Sequence, residues 1–279
     1  MIRLTVVQGR RAIKQRILTG LVLLPLLILL LVYAGPGLFL GFLAVVSLVA
    51  QHEYQAMAVP SCGRLIQIPA LAVGLGLMVL ASLGQPAAAL YLLVAGVLLL
   101  GVLFLFHHRD IHLVARDLGL TLFGIYYLPL LLAMVVLLFA LPGSGRQWVG
   151  LVLLVVMLAD TFAYFVGSAI GRTPLYPAVS PKKSREGAVG GLVGSLIGGL
   201  LAQLSFFPEL GWGHACLVSL LLSVCGQLGD LFESLLKRSF QVKDSSRLIP
   251  GHGGLLDRLD SLLFAFPAAF FYASLFWGD

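Results

Sequence analysis

An all-α polytopic membrane protein with about nine transmembrane helices is predicted by three observations. Hydrophobic residues make up 59% of the chain and charged residues 11%, where a soluble domain carries roughly 25% charge. Mean hydropathy is +1.02. The apolar residues also gather in runs of about 20, the number a helix needs to cross the hydrocarbon core. The 279 residues read as a single integral membrane domain, 1–279, with N-terminal helices over 1–145 and the polar motifs over 146–279.

The spans follow in order. Arg3, Arg10, Arg11, Lys14 and Arg16 precede an apolar run from Ile17 to Ala34. A signal peptide has the same order of features, but its apolar region is ~7–15 residues and ends at small residues. This run is longer and ends in Tyr33-Ala34-Gly35-Pro36, so it reads as a retained first span. Further spans are expected at 37–57, 66–83, 87–106, 119–140, 147–170, 187–206, 213–236 and 261–277. Pro60-Ser61-Cys62-Gly63, Gly84-Gln85-Pro86, Leu141-Pro142-Gly143 and Phe207-Pro208 supply breaks between them.

The basic residues test this count. With a cytoplasmic N-terminus and alternating spans, Arg146 alone among the 18 Lys and Arg residues falls outside, the bias expected of cytoplasmic loops. The C-terminus is then outside, and the loop at 171–186 and the polar loops near the C-terminus are inside. A net charge of +6, scattered between apolar runs, is a topology signal and excludes a nucleic-acid footprint. Cys62, Cys216 and Cys225 lack CxxC spacing and read as small buried hydrophobes. Gln51-His52-Glu53-Tyr54 reads as an interfacial helix end, with a supporting contribution to the polar site as the alternative. His107-His108-Arg109-Asp110-x-His112 reads as a short interfacial loop, since consecutive histidines do not share a helix face.

Two polar stretches stand apart. In the first, Ser234 to Asp260, the charges are not scattered. Asp230, Glu233, Ser234 and Lys237 fall at i, i+3, i+4 and i+7, one stripe of a helix. Asp257 and Asp260 are again three apart. Two helical carboxylate pairs separated by Pro-Gly-His-Gly-Gly suit a divalent cation beside a phosphate-binding loop, since Mg²⁺ prefers carboxylate oxygens and shares positions with phosphates. In the second stretch, 160–191, Asp160 interrupts an apolar run; an intramembrane carboxylate is costly unless it faces a polar cavity or glues helices. Lys182 and Lys183 are adjacent point charges fit for a triphosphate.

The run Ser234-x-x-Lys237-Arg238, Lys243-Asp244, Pro250-x-His252-Gly253-Gly254 and Asp257-Arg258-x-Asp260 resembles the signature of the phosphatidate cytidylyltransferase (CDP-diacylglycerol synthase) family. These are integral membrane enzymes that join CTP to phosphatidic acid, giving CDP-diacylglycerol and pyrophosphate. Ser180-Pro181-Lys182-Lys183-Ser184-x-Glu186-Gly187 resembles a second block of that family, with Arg185 where an aromatic is usual. The two blocks lie in the C-terminal part; earlier spans match mainly in being hydrophobic.

The resemblance implies Mg²⁺ held by Asp230, Asp257 and Asp260, with Glu233 bridging, and a second cation is compatible with the chemistry. It implies catalytic roles for Asp230, Ser234, Lys237, His252, Asp257 and Asp260. Substrate contacts fall to Asp160, Lys182, Lys183, Ser184, Glu186, Lys237, Arg238, Lys243, Gly253, Gly254 and Arg258. Gly253 and Gly254 would let the backbone approach a phosphate without Cβ interference. The implied partners are CTP, phosphatidic acid and membrane lipids, in a bacterial cytoplasmic (inner) membrane, with the site on the cytoplasmic side of the C-terminal helices. Glycine faces at Gly190-Gly191-x-x-Gly194 and Gly198-Gly199 serve a homodimer or internal packing equally well.

Two other functions use similar residues. A CTP-dependent polyprenol or lipid-alcohol kinase would transfer the γ-phosphoryl and release CDP. A secondary transporter would bind ions at Asp160, Asp230 and Glu233, but the two halves show no evident repeat. A CDP-alcohol phosphotransferase is disfavoured further, because the sequence has no DG-x-x-A-R run with spaced aspartates.

Overall fold

The computed structural model describes residues 25–277, apart from 109 and 250–252. Eight helical segments among them are long and apolar enough to cross a membrane: Pro36–Ala58, Arg64–Ser82, Pro86–His107, Ile111–Phe139, Gly145–Ile170, Arg185–Ser205, Trp212–Ser239 and Leu256–Phe276. They correspond to the second to ninth expected spans. Of the first, residues 25–33 are helical, and the remainder lies outside the described residues. The chain is an integral membrane protein built almost wholly of helices.

We label residues 25–33 α1, Pro36–Ala58 α2, Arg64–Ser82 α3 and Pro86–His107 α4. The next span is composite: α5 (Val114–Ile125), a π-helical turn at Tyr126–Leu130 and α6 (Leu131–Phe139). Pro129 sits in that turn; it lacks an N–H to donate, and the wider π register absorbs the break. Then come α7 (Gly145–Ile170), α8 (Arg185–Ser205), α9 (Trp212–Ser239) and α10 (Leu262–Phe276).

Two boundaries differ from the expected spans. The fifth begins near Ile111, not 119, because Asp110 accepts a hydrogen bond from His112 N at 2.9 Å and starts a 3-10 turn that runs into α5. The last begins at Leu256, through a 3-10 turn over Leu256–Arg258 that precedes α10. The loop expected at 171–186 folds as an antiparallel hairpin, β1 (Pro174–Tyr176) with β2 (Ser180–Ser184). Hydropathy marks this segment only as not spanning; pairing is decided by its turn at 177–179.

Two apolar cores hold the helices. The larger joins buried residues of α2, α6, α7, α9 and α10, among them Tyr54, Leu138, Trp148, Leu222 and Phe266. The smaller joins α3, α4 and α5 through Ile66, Leu77, Leu100, Phe104 and Ile125. On α4, Leu98, Leu105 and Phe106 are exposed, as expected of a peripheral helix whose outer face meets lipid tails.

The glycine faces of α8 have a definite use. A Cβ at Gly190 would strike Val166, and one at Gly194 would strike Phe162 and Leu158 O, all on α7. A Cβ at Gly199 would strike Ser219 and Ala215 O on α9. Small residues thus let α8 approach both neighbours closely, as packing without a hydrophobic driving force requires. These faces are spent inside the chain.

Candidate active site

The α9 stripe forms as its spacing predicts. Lys237 Nζ donates to Glu233 Oε1 at 3.0 Å, one helical turn away, and to Asp257 Oδ1 at 2.6 Å. All three side chains are buried: Glu233 is 0% exposed, Asp257 7% and Lys237 8%. One ammonium therefore sits between two carboxylates in the protein interior. Glu233 Oε2 has no hydrogen-bond partner among the described residues.

Asp257 is committed further. Its Oδ2 accepts from Ser245 N at 2.9 Å, Gly254 N at 2.8 Å and Ser245 Oγ at 3.1 Å. Both oxygens are thus taken up by protein donors, and the residue ties the loop after α9 to the start of the last span. Asp257 and Asp260 also do not form an α-helical pair: the first lies in the 3-10 turn and the second in the turn before α10.

A second acidic group lies beside this bridge. Asp230, one turn before Glu233 on α9, meets Lys183 of β2 at 2.5 Å, each side chain a little over one-quarter exposed. Asp160 of α7 is exposed and lies within electrostatic reach of Asp230, Lys183 and Arg258. Asp260 feels the charges of both Asp230 and Asp160, and its Oδ1 accepts from Ser261 N at 2.8 Å. Ser234 Oγ stands 3.5 Å from Asp230 Oδ1. Three aspartates from α7, α9 and the α10 entrance turn converge, opposite the lysine of the hairpin.

The expected metal ligands are therefore divided by the structure. Glu233 and Asp257 are bound up with Lys237, whereas Asp160, Asp230 and Asp260 lie within electrostatic reach of one another. Among the described residues, no three His, Cys, Asp or Glu side chains stand at a spacing that would hold a metal ion. The donors do fit a hard divalent cation in kind: carboxylate oxygens in excess of positive charge, with the Lys183 ammonium standing against Asp230 as a cation would.

The hairpin block has an internal logic. Ser184 caps α8 by accepting from Gly187 N at 3.1 Å, a common N-cap contact. Glu186, in the first turn of α8, accepts from Arg172 N at 3.1 Å and Thr173 N at 3.2 Å. These two side chains face the backbone of their own loop. They hold the strand that carries Lys182 and Lys183. Arg238 reaches Val179 O at 3.5 Å and Val242 O at 3.3 Å, joining the hairpin turn to the loop after α9. Lys182, Lys243 and Arg258 are exposed. His252 lies outside the described residues.

Gly253 and Gly254 are explained by the loop itself. Gly253 has φ +84, and a Cβ there would stand 2.6 Å from Asp257 Oδ2. Gly254 is buried; a Cβ would overlap Ser245 Oγ and lie 2.6 Å from Glu53 Oε2. Gly254→Ala is expected to destabilise the loop by about 1–3 kcal/mol. It should lower activity more than it lowers the melting temperature of the detergent-solubilised protein, because α9 and α10 keep their own packing.

Glu53 supports the loop of the polar site, the alternative that the sequence offered for Gln51 to Tyr54. The segment Gln51 to Tyr54 reads as an interfacial helix end, yet Glu53 is 5% exposed and accepts four hydrogen bonds from the loop that carries Asp257. A carboxylate inside an apolar run was the available signal.

Against this geometry the comparisons are consistent. A model of the cytidylyltransferase family matches residues 14–276. The chain is 42% identical over 136 residues to a phosphatidate cytidylyltransferase of Bacillus subtilis, covering 49% of this chain and 51% of that one. It is 42% identical over 129 residues to one from Staphylococcus haemolyticus, 46% and 50% of the two chains. To one from Staphylococcus aureus it is 44% identical over 127 residues, 45% and 48%. The matched region spans about half the length of these curated relatives.

Proposed function

Because the chain belongs to the cytidylyltransferase family, we propose that it transfers the cytidylyl group of CTP to phosphatidic acid, giving CDP-diacylglycerol and pyrophosphate. The observation that carries this reading is the convergence of Asp160, Asp230 and Asp260 opposite Lys183. A carboxylate cluster faced by a basic hairpin, carried by apolar helices, suits two polyanions that meet at a membrane surface. The relatives bear the name of the same reaction.

A phosphate oxygen of phosphatidic acid attacks the α-phosphorus of CTP. The new P–O bond forms as the bond from the α-phosphorus to the bridging oxygen of the β-phosphate breaks, and pyrophosphate leaves. No general base is needed, since a phosphate monoester is already anionic at neutral pH. The protein's first task is to neutralise charge, and its second is to hold the reactants in line. Lys182, Lys183, Lys243, Arg238 and Arg258 supply positive charge for the phosphates. Asp230 and Asp260 would hold Mg²⁺ together with phosphate oxygens of the substrates, and the ion when bound would offset charge on those oxygens. Lys237, buried between Glu233 and Asp257, positions those two side chains and lies too deep to be the main phosphate contact. His252, part of the family signature, is assigned to the phosphates. The diacyl tails stay in the bilayer. The N-terminus and the catalytic loops are cytoplasmic, where CTP is, in the bacterial inner membrane.

Membranes containing the protein, supplied with phosphatidic acid and Mg²⁺, are expected to incorporate label from α-³²P-CTP into lipid. Lipid label from γ-³²P-CTP in its place would assign the γ-phosphoryl transfer of a lipid kinase and overturn the reading.

A further inference from the structure

We propose that Glu53, on α2, is a positioning residue for the reaction, holding the loop that bears Asp257 from a helix far away in sequence. The inference rests on the reading above for the reaction served, and on the contacts of this structure for the role. Glu53 Oε1 accepts from Ser246 Oγ at 2.6 Å and Leu255 N at 3.0 Å. Its Oε2 accepts from Leu256 N at 2.9 Å and Ser245 Oγ at 3.1 Å. The four donors come from both ends of one loop, two residues on either side. One carboxylate thus closes the loop across its base.

The chemistry explains why the residue is an acid. Leu255 N and Leu256 N are at the start of the last span, where helical N–H groups lack partners within the helix and a negative charge is favoured. Among the described residues the ion pairs are Lys183–Asp230, Lys237–Glu233 and Lys237–Asp257; Glu53 is held by hydrogen bonds alone. Each of its oxygens takes one backbone N–H. A glutamine amide, whichever way it turned, would present NH₂ to one of them. Serine hydroxyls could rotate to suit, but an amide N–H cannot.

The same loop is tied a second time by Asp257, and the Ser245 hydroxyl, 3.1 Å from both carboxylates, shares its one proton between them. Glu53 and Asp257 thus fix the segment from which Asp260 follows three residues later. Helix α2 does not depend on Glu53 for its place: Phe39, Leu43, Val46, Ala50 and Tyr54 bury its apolar face. Loss of the charge should therefore loosen the loop and leave the bundle.

The test is Glu53→Gln in the full chain, purified in detergent, read in two ways. Hydrogen exchange over residues 244–258 is expected to accelerate about tenfold, the loss of one hydrogen bond to a charged group, with α7 and α8 unchanged. The kcat for cytidylyl transfer is expected to fall about a hundredfold, as for a misplacement of the order of 1 Å, with KM for CTP little altered. Ser246→Ala, which removes one donor, should move both readouts the same way by less. Unchanged exchange in the loop overturns the proposal; so does acceleration across every helix, which would make Glu53 a support of the whole fold. If the unaltered protein forms no cytidylyl lipid, the reaction reading fails, and the exchange data alone decide whether Glu53 holds the loop.

Discussion

Asp230→Asn is expected to reduce lipid labelling from α-³²P-CTP by about a thousandfold, the scale of losing a preorganised electrostatic group at a reacting centre. The substitution keeps the size of the side chain and removes only its charge. Asp230 is the member of the three-aspartate group whose ionic partner is known: its Oδ2 lies 2.5 Å from Lys183 Nζ, and both side chains are partly exposed. A pair of that kind stabilises a fold by about 0–1 kcal/mol. The effect on folding should thus be small and the effect on turnover large. Labelling in membranes, with melting in detergent as the control, separates the two. Activity within tenfold of the unaltered protein would remove Asp230 from the site. A melting temperature that collapsed with activity would make it a structural residue.

Much of the fold was legible because a bilayer simplifies the problem. A helix must satisfy its own backbone in lipid, so hydropathy alone places the middle of each span, and the 3.6-residue period alone places Asp230, Glu233, Ser234 and Lys237 on one face. What periodicity does not contain is the partner on another element. Asp257 looks like an open ligand in the sequence, yet its donors are Lys237, Ser245 and Gly254, on the helix and loop before it. Ser184 and Glu186 read as substrate contacts through the family resemblance of their block. Their hydrogen bonds instead run to Gly187, Arg172 and Thr173. Glu53 depends on partners 192 to 203 residues away, beyond any local pattern. The α8 glycines could have faced a second copy or the chain itself; the structure turns them to α7 and α9.

The largest effect on stability is expected from Lys237→Met. Methionine has nearly the volume of lysine, so packing is little disturbed, but Glu233 and Asp257 are left facing each other without the ammonium between them. Removing one partner of a buried ion pair costs about 3–5 kcal/mol, a large share of the ~5–15 kcal/mol that holds a typical protein folded. Asp257 retains Ser245 N and Gly254 N. Glu233 retains nothing, since its Oε1 was held by Lys237 and its Oε2 has no partner among the described residues. The worse-placed charge is therefore Glu233, and a second substitution, Glu233→Gln, should restore part of the lost stability by removing it. Thermal unfolding of the two variants in detergent checks this order: the single change lowest, the double change above it, the unaltered protein highest. A lysine whose task was to grip CTP would behave otherwise, raising KM for the nucleotide when lost and leaving the melting temperature where it was. Burial of Lys237 at 8% exposure favours the first outcome, because a group that water barely reaches has already committed its charge to its neighbours.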